Sequence, residues 1–479
     1  MSETRSFYWH DYETWGAQPA VDRPAQFAGL RTDLDFKPIG KPLVVYARPA
    51  DDFLPQPEAC LITGITPQLA REKGAPEADF FRFIHDELAR PGTCALGYNS
   101  LRFDDEVTRY GLYRNFFDPY AREWQNGNSR WDMIDVVRLT HALRPDGIEW
   151  PQREPGVTSF RLEDLTAANG IEHSGAHDAL ADVEATIAIA RLVRERQPKL
   201  FEFAFGNRDK QQLARQLNVR AGQPVLHVSA RYPARLGCIA AVVPLAMHPV
   251  NRNGVIVCDL RADPEPLLTL SADEIRSRLY TASADLPHGA ERIPLKVVHI
   301  NRSPVVVPMG TLTDAARERW QMDAAAEQRH LDVLRNAPGL EQKLRAVFGE
   351  GEAFPPQSDP DRDLYGGFLS DADRQRCERV RQSTPQDLAG AQFGFEAGKL
   401  EELLFRYRAR NWPETLSHDE RLRWQEFRMA RLTEPGMGGS IVLDDYRRLL
   451  SRMAIDMSLT TAQRAVVDAL IDWPQELGL

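Results

Sequence analysis

The sequence predicts an α/β domain at the N-terminus, a small β-rich domain in the middle and a helical C-terminal part. Over the first 190 or so residues, short apolar runs alternate with longer helical patterns. Short β-rich runs dominate from Pro224 to Pro308, and helical periodicity returns after them. The chain has 479 residues, and domains hold roughly 150 residues each, so more than one hydrophobic core is expected.

The α/β domain contains four candidate strands, of which the first three are close enough in sequence to form an antiparallel meander. The strands are Phe7–Glu13, Gln26–Thr32, Leu43–Arg48 and Cys94–Asn99. Apolar residues at three- and four-residue steps predict one long amphipathic helix over Ala176–Glu195. It ends near Gln197–Pro198, so we place the first domain at residues 1–197.

The β-rich segment predicts a small barrel or sandwich with strands Val225–Ser229, Ile239–Leu245, Val255–Leu260, Leu295–Ile300 and Val305–Val307. Helices follow over Gln328–Leu334 and Leu340–Val347. The aperiodic stretch Gly349–Asp363, rich in Gly, Pro and Asp, indicates a linker. The later segments Leu400–Asn411 and Ser417–Thr433 are helix-like. These features predict a second domain over 198–350 and a third, all-α domain over 351–479.

Composition favours a soluble cytoplasmic protein. No apolar run approaches the roughly 18 to 20 residues that cross a bilayer, and no export signal is recognisable. The five cysteines are scattered and show no CxxC spacing, which indicates buried thiols rather than disulfides or a zinc site. No Walker A or GxGxxG motif follows a strand, so nucleotide-hydrolysing and dinucleotide enzymes lack support.

The net charge of −10 argues at first against a polyanionic partner. The charge is uneven, because Arg191–Arg235 holds ten basic and three acidic residues, a local +7. A basic groove for nucleic acid or for an acidic protein segment therefore stays open.

Acidic residues in the first domain are spaced for metal chemistry. Asp11 and Glu13, two apart on a strand, point to the same face, and the flanking aromatic residues suggest that this strand is buried. Asp104, at a helix start after the fourth strand, has the reach to join them. His177 and Asp182 lie about one turn apart at the start of the long helix. His141 and His173 are expected to be structural.

Four carboxylates and one imidazole suit two-metal phosphodiester hydrolysis. Hard divalent cations prefer oxygen ligands, and two of them activate water and stabilise the leaving oxygen. An imidazole with a pKa near neutrality takes the proton of the attacking water.

The ordered motifs resemble those of the DEDDh nucleases, and more narrowly of the bacterial exonuclease I family. The motifs are Asp11-x-Glu13, Asn99-x3-Phe103-Asp104 and His177-x4-Asp182, with supporting phrases HDYET, DRPAQF, LITGITP, RFDDEVTR and YRARN. The resemblance covers nearly the whole chain. It implies a ribonuclease-H-like exonuclease domain, an SH3-like barrel and a helical C-terminal domain. It also implies an enzyme that degrades single-stranded DNA in the 3′-to-5′ direction and releases 5′-mononucleotides. The implied role is in DNA repair and recombination.

The resemblance also implies roles for individual residues. Asp11, Glu13, Asp104 and Asp182 would hold two Mg²⁺ ions, with Mn²⁺ as the alternative, and His177 would be the general base. Asp104 is preferred to Asp105 because the family's aspartate directly follows the aromatic residue. The implied substrate contacts are Glu13 and, near the 3′ end of the DNA, Arg161. Further contacts along the DNA strand are implied for Arg109, Tyr120, Trp124, Arg138 and Arg144.

Members of the family bind the acidic, hydrophobic C-terminal tail of single-stranded-DNA-binding protein, and they are monomers. Arg144, Phe203 and Arg335 are the implied tail contacts. Gln223 and Thr313 depart from the pattern, because basic residues are expected at both positions.

Two other functions are compatible with parts of the sequence. An oligoribonuclease or proofreading-type exonuclease would use the same five residues but needs only the first domain. A non-catalytic DNA-binding or scaffold protein would have lost a carboxylate, and none is missing.

Overall fold

The computed structural model describes residues 5–173, 175, 177–282, 285–288, 290, 292–349 and 357–479. They form two compact units. The first unit comprises Met1–Ser129, His173–Ile187 and Phe354–Leu479, and the second comprises Arg130–Glu172 and Ala188–Ala353. The first unit therefore combines the N-terminal and C-terminal segments of the chain. The domain boundaries at 197 and 350 stay predictions.

The first unit is built on a mixed sheet with strand order β3-β2-β1-β4-β5, of which β5 begins in this unit and is the edge strand. The strands are β1 (Ser6–Thr14), β2 (Pro24–Thr32), β3 (Leu43–Tyr46), β4 (Thr93–Gly97) and β5 (Ser129–Asp132). β1 pairs antiparallel with β2, and β2 with β3, which confirms the predicted meander. β1 pairs parallel with β4. The fourth strand ends earlier than predicted, because Asn99 has a left-handed backbone with φ of 64°.

The α-helices of the described chain lie between Pro57 and Glu476. Their bounds are α1 Pro57–Thr63, α2 Pro67–Lys73, α3 Glu77–Leu88, α4 Asp104–Arg114, α5 Met133–Leu143, α6 Leu162–Ala168, α7 Ala179–Arg196, α8 Pro198–Gly206, α9 Lys210–Gln216, α10 Glu265–Thr269, α11 Ala272–Tyr280, α12 Asp314–Arg319, α13 Ala324–Arg335, α14 Leu340–Gly349, α15 Asp371–Gln382, α16 Pro385–Leu388, α17 Lys399–Asn411, α18 His418–Thr433, α19 Leu443–Ala454 and α20 Thr461–Glu476. None of those described is long and apolar enough to cross a membrane.

One face of β1 forms the core behind the sheet. Tyr8 and Tyr12 pack in a buried cluster with Phe80 and Phe81 of α3 and Val107 of α4. Because side chains alternate along a strand, Asp11 and Glu13 of β1 point to the opposite face from Tyr8 and Tyr12.

The C-terminal helices pack against N-terminal residues in the first unit. Tyr446 and Trp473 lie in one buried cluster with Trp15 and Phe53, which come from the first 60 residues. The predicted linker Gly349–Asp363 is partly wrong. Residues 350–356 lie outside the described chain, but Pro360–Tyr365 is a 3-10 helix, and Asp361 within it is buried in ion pairs. These contacts make residues 360–363 a packed element.

The second unit contains a five-stranded antiparallel sheet with strand order β11-β10-β9-β8-β12. The strands are β8 (Val225–Val228), β9 (Ile239–Met247), β10 (Gly254–Asp259), β11 (Leu295–His299) and β12 (Val305–Pro308), and a small hairpin is formed by β6 (Gln152–Glu154) and β7 (Val157–Thr158). All five predicted strands are present. Their apolar side chains pack with Leu213 and Leu217 into one buried cluster.

Candidate active site

The acidic pair on β1 lies in the C-terminal half of a buried strand. Glu13 is buried, with 7% of its surface exposed, and Asp11 is half-buried. Asp11 pairs in register with Ala28 and Glu13 with Gln26 of β2. The pair shares one face of the sheet, as the two-residue spacing predicts.

Asp104 is fixed against the same strand. It is the first residue of α4, and its Oδ1 accepts a hydrogen bond from the main-chain N–H of Tyr12 at 3.1 Å. The Tyr12 hydroxyl in turn lies 2.9 Å from Thr108 Oγ1, one turn further along α4. Tyr12 thereby places Asp104 between the main-chain positions of Asp11 and Glu13.

Asp105 has a different role from Asp104. Its Oδ1 forms a buried ion pair with Arg122 Nη2 at 2.6 Å, and both side chains are inaccessible to solvent. Asp105 therefore already has a counter-charge, and the choice of Asp104 as the metal ligand stays a prediction.

His177, just before α7, and Asp182, in its first turn, lie beside Glu13. One ligand atom each from Glu13, His177 and Asp182 lies within 4.8 Å of the others. His177 is exposed and has a left-handed backbone, with φ of 70°. The helix begins at Ala179, later than predicted, and Asp178 caps it by accepting hydrogen bonds from the main-chain N–H groups of Leu180 and Ala181 at 3.2 Å.

The carboxylates repel one another. Burial, followed by the negative charges of Asp182 and Asp104, raises the pKa of Glu13 to about 9. Burial and then Asp104 and Glu13 raise the pKa of Asp11 well above its ordinary range. Burial also raises the pKa of Asp182, although a hydrogen bond from His173 opposes the shift. Such a cluster is stable in its ionised form only with cations among the oxygens.

Two residues near the cluster were missed by sequence reasoning. Asp178 adds a fifth negative charge that raises the pKa of both Asp11 and Glu13. His173 was expected to be structural, yet its Nε2 lies 2.6 Å from Asp182 Oδ1. The available signal was a second histidine four residues before His177, which spacing alone cannot assign to a site.

The predicted substrate residues of the first unit differ in their surroundings. Arg109 is buried and bound to Glu106 at 2.6 Å and Glu123 at 2.7 Å. Tyr120 is half-buried, with the Arg109 guanidinium 5.5 Å from its ring centroid. Trp124 is 65% exposed, so it does not belong to the core. The two aromatic residues are open to a ligand, whereas Arg109 acts in this structure as a partner of acidic side chains.

The predicted arginines of the second unit are also unequal. The Arg161 side chain is exposed and lies 3.3 Å from Glu163, at the start of α6. Arg138 is buried and paired with Asp135 at 2.6 Å. Arg144 donates hydrogen bonds to the main-chain oxygens of its neighbour Leu143 and of Thr311.

The three predicted tail contacts all lie in the second unit. Phe203 is 37% exposed beside a small cleft lined by Trp131 and Arg208. Arg335 donates a hydrogen bond to the main-chain oxygen of Gly222 at 3.0 Å. Thr313, where a basic residue is expected, caps α12 instead by accepting from the main-chain N–H of Ala316.

The mixed sheet and its carboxylate cluster lie in the part of the chain that is similar to exonucleases. A family model described as Exonuclease matches residues 8–190, and models described as Exonuclease I SH3-like domain and Exonuclease I C-terminal domain match residues 208–350 and 358–477. The chain belongs to the exonuclease I family, with an exonuclease domain, an SH3-like domain and a helical C-terminal domain in that order.

Individual exonuclease I proteins are similar to this chain over nearly their whole length. Exodeoxyribonuclease I of Escherichia coli is 48% identical over 98% of both chains. A moderately thermophilic exonuclease I from Methylocaldum szegediense is 54% identical, with a TM-score of 0.95 over 99% of both chains. The zinc-bound complex of Escherichia coli exonuclease I with single-stranded DNA is 47% identical, with a TM-score of 0.94 over 100% of both chains.

Proposed function

We propose that the protein is a 3′-to-5′ exodeoxyribonuclease that removes 5′-mononucleotides from single-stranded DNA. The observation that carries this proposal is the repulsive carboxylate cluster with His177 beside it, in a chain of the exonuclease I family. A relative of this family has been crystallised with single-stranded DNA and a metal ion.

The site residues divide the work by their chemistry. Asp11, Glu13, Asp104 and Asp182 hold two Mg²⁺ ions, for which Mn²⁺ substitutes, because carboxylate oxygens are the ligands these ions prefer. When bound, the ions lower the pKa of the attacking water and stabilise the leaving oxygen. His177, exposed and next to Glu13 and Asp182, accepts the proton of that water.

Substrate binding is assigned to the groups that suit an unpaired strand. Tyr120 and Trp124 offer aromatic faces to unstacked bases, and Arg161 offers an exposed guanidinium to a phosphate. Arg138, Arg144 and Arg109 complete the predicted path, with Arg109 fixed by Glu106 and Glu123.

We further propose that the protein is a cytoplasmic monomer. Its proposed activity would serve DNA repair and recombination. We assign Arg144, Phe203 and Arg335 to the tail of single-stranded-DNA-binding protein. An acidic peptide with an aromatic C-terminus should bind in a fluorescence anisotropy titration, and Phe203→Ala with Arg335→Ala should weaken it. Equal binding to the double variant would remove these residues from the site.

The substrate and polarity are tested with 5′-labelled single-stranded DNA, duplex DNA and single-stranded RNA, each with Mg²⁺ or EDTA. Single-stranded DNA should shorten from its 3′ end only with Mg²⁺, and a blocked 3′ end should protect it. Faster degradation of RNA would favour an oligoribonuclease, and cleavage that persists in EDTA would contradict the metal mechanism.

The carboxylates are tested with Asp182→Asn, which removes a ligand charge but keeps the size of the side chain. Turnover should fall by at least about 10³-fold while binding of single-stranded DNA in EDTA is retained. Glu184→Gln is the matched control, because Glu184 is exposed on the same helix. A fully active Asp182→Asn variant would exclude this residue from the site.

A further inference from the structure

The loop before α7 holds a second histidine against the candidate metal site. His173 Nε2 lies 2.6 Å from Asp182 Oδ1, and only 6% of the His173 side chain is exposed. An ionised carboxylate has no hydrogen to give, so the ring N–H is the donor. One of the two Asp182 oxygens is therefore engaged by His173.

The same carboxylate also holds the main chain of the loop. It accepts a hydrogen bond from the main-chain N–H of His177. The Asp182 carboxylate thus accepts hydrogen bonds from the His173 side chain and from the main chain of His177. Further main-chain bonds join Asp178 to Gly175 at 2.9 Å and Asp182 to Asp178 at 3.0 Å.

His177 needs such restraint because its own backbone conformation is unfavourable. His177 has φ of 70°, a left-handed conformation that residues with a Cβ rarely adopt. Strain of this kind persists only where neighbouring contacts hold it. The Asp182 carboxylate supplies one such contact directly at His177.

We infer that His173 is a positioning residue of the active site: its ring N–H orients the Asp182 carboxylate and, through it, the main chain of His177. The inference rests on the proposed function, in which Asp182 holds a metal ion and His177 takes a proton. Hydrogen bonds from surrounding residues orient metal ligands, and their loss typically costs 10- to 100-fold in metal affinity or activity.

The test compares His173→Ala with His173→Gln, whose side-chain amide keeps an N–H donor. Mn²⁺ binding to the metal-free protein is measured by electron paramagnetic resonance of the free ion, alongside kcat and KM for single-stranded DNA. His173→Ala should bind Mn²⁺ about 10- to 100-fold more weakly and lose kcat. KM, binding of DNA in EDTA and Tm should stay unchanged, and His173→Gln should recover most of the loss.

Matched controls separate this inference from the proposed function. His418→Ala removes an exposed histidine in α18 and should behave as the unmodified protein. Failure of the unmodified protein to degrade single-stranded DNA would overturn the proposed function, whereas the Mn²⁺ titration would still report on His173.

Three results would overturn the role of His173. The first is normal Mn²⁺ affinity and turnover in His173→Ala. The second is a folded His173→Gln variant that is as defective as His173→Ala. The third is a loss of Mn²⁺ affinity accompanied by equal losses of Tm and of DNA binding in EDTA, which would show a general structural role.

Discussion

At the scale of single residues, the candidate site is made of groups whose charges are costly without a ligand. Glu13 shows this most clearly, because it is buried and faces Asp182 and Asp104. Its folded-state pKa of about 9 lies above the ordinary value of 4.5. Stability from this group is therefore present below pH 4.5 and is lost as the pH rises toward 9.

Glu13→Gln should accordingly stabilise the metal-free protein. At pH 8 in EDTA the variant should gain about 1–3 kcal/mol in the free energy of unfolding, because the amide cannot ionise. The gain should shrink at pH 5, where the carboxyl group is protonated in the folded state. Urea unfolding at the two pH values measures the difference, and equal stabilities at pH 8 would contradict the assigned pKa shift.

Buried neutral histidines have the opposite pH dependence. Burial lowers the pKa of His141, which packs against Trp150, Phe160 and Trp320, to about 4 from the ordinary 6.5. Between these values the unfolded chain binds more protons than the folded one, so stability falls as the pH falls.

His141→Gln should remove this sensitivity. On going from pH 7.5 to pH 5.5, the unmodified protein should lose about 1 kcal/mol more than the variant in urea unfolding. His418→Gln, which changes an exposed histidine, should keep the full loss. The same pH slope in both variants would show that folding does not lower the pKa of His141.

At the scale of elements, α17 explains why the YRARN phrase accompanies the active-site motifs. Arg410 lies between Asp52, at 2.8 Å, and Asp361, at 2.6 Å, with all three side chains buried. Although burial raises the pKa of Asp52 and of Asp361, Arg410 holds both well below their ordinary range. Asn411 Oδ1 also accepts a hydrogen bond from the main-chain N–H of Ala78 at the start of α3.

Arg410→Ala should destabilise the protein strongly, because two buried carboxylates would lose their counter-charge. We expect a loss of about 3–5 kcal/mol in urea unfolding at pH 7.5. Arg423→Ala, which removes an exposed partner of Glu402, should cost less than about 1 kcal/mol. Similar losses in the two variants would show that the Arg410 pairs carry no special weight.

At the scale of the whole molecule, both ends of the chain build the first unit. Trp473 of α20 is 1% exposed, packs in one cluster with Trp15 and Phe53, and has the Arg71 guanidinium 4.2 Å from its ring centroid. The folded exonuclease sheet therefore depends on residues more than 400 positions away in the sequence.

Trp473→Ala should lower the stability of the first unit. The cavity should cost about 3–5 kcal/mol, and the urea midpoint of exonuclease activity should fall with it. Ile471→Ala, at a half-exposed position of the same helix, should cost about 1 kcal/mol or less. A Trp473→Ala variant whose activity keeps the original midpoint would contradict this coupling.

The charge of the molecule is also organised at this scale. The ten basic residues between Arg191 and Arg235 lie in the second unit, from the C-terminal part of α7 to the residues before β9, and none of them is buried. The cluster of carboxylates lies in the first unit. The net charge of −10 therefore combines an acidic cluster that requires cations with a basic surface that suits an acidic partner.

The sequence by itself determined the first four strands of the mixed sheet, all five strands of the second sheet, the helices α7, α13, α14, α17 and α18, and the acidic motifs. Periodicity reports which side of an element is apolar, and the spacings of Asp11, Glu13 and Asp182 follow from the strand and helix repeats. Only the tertiary structure decided the partners: His173 on Asp182, Arg109 on Glu123, and Asp361 packed where a linker was predicted. These depend on contacts between segments far apart or on a strained loop, and no local period encodes them.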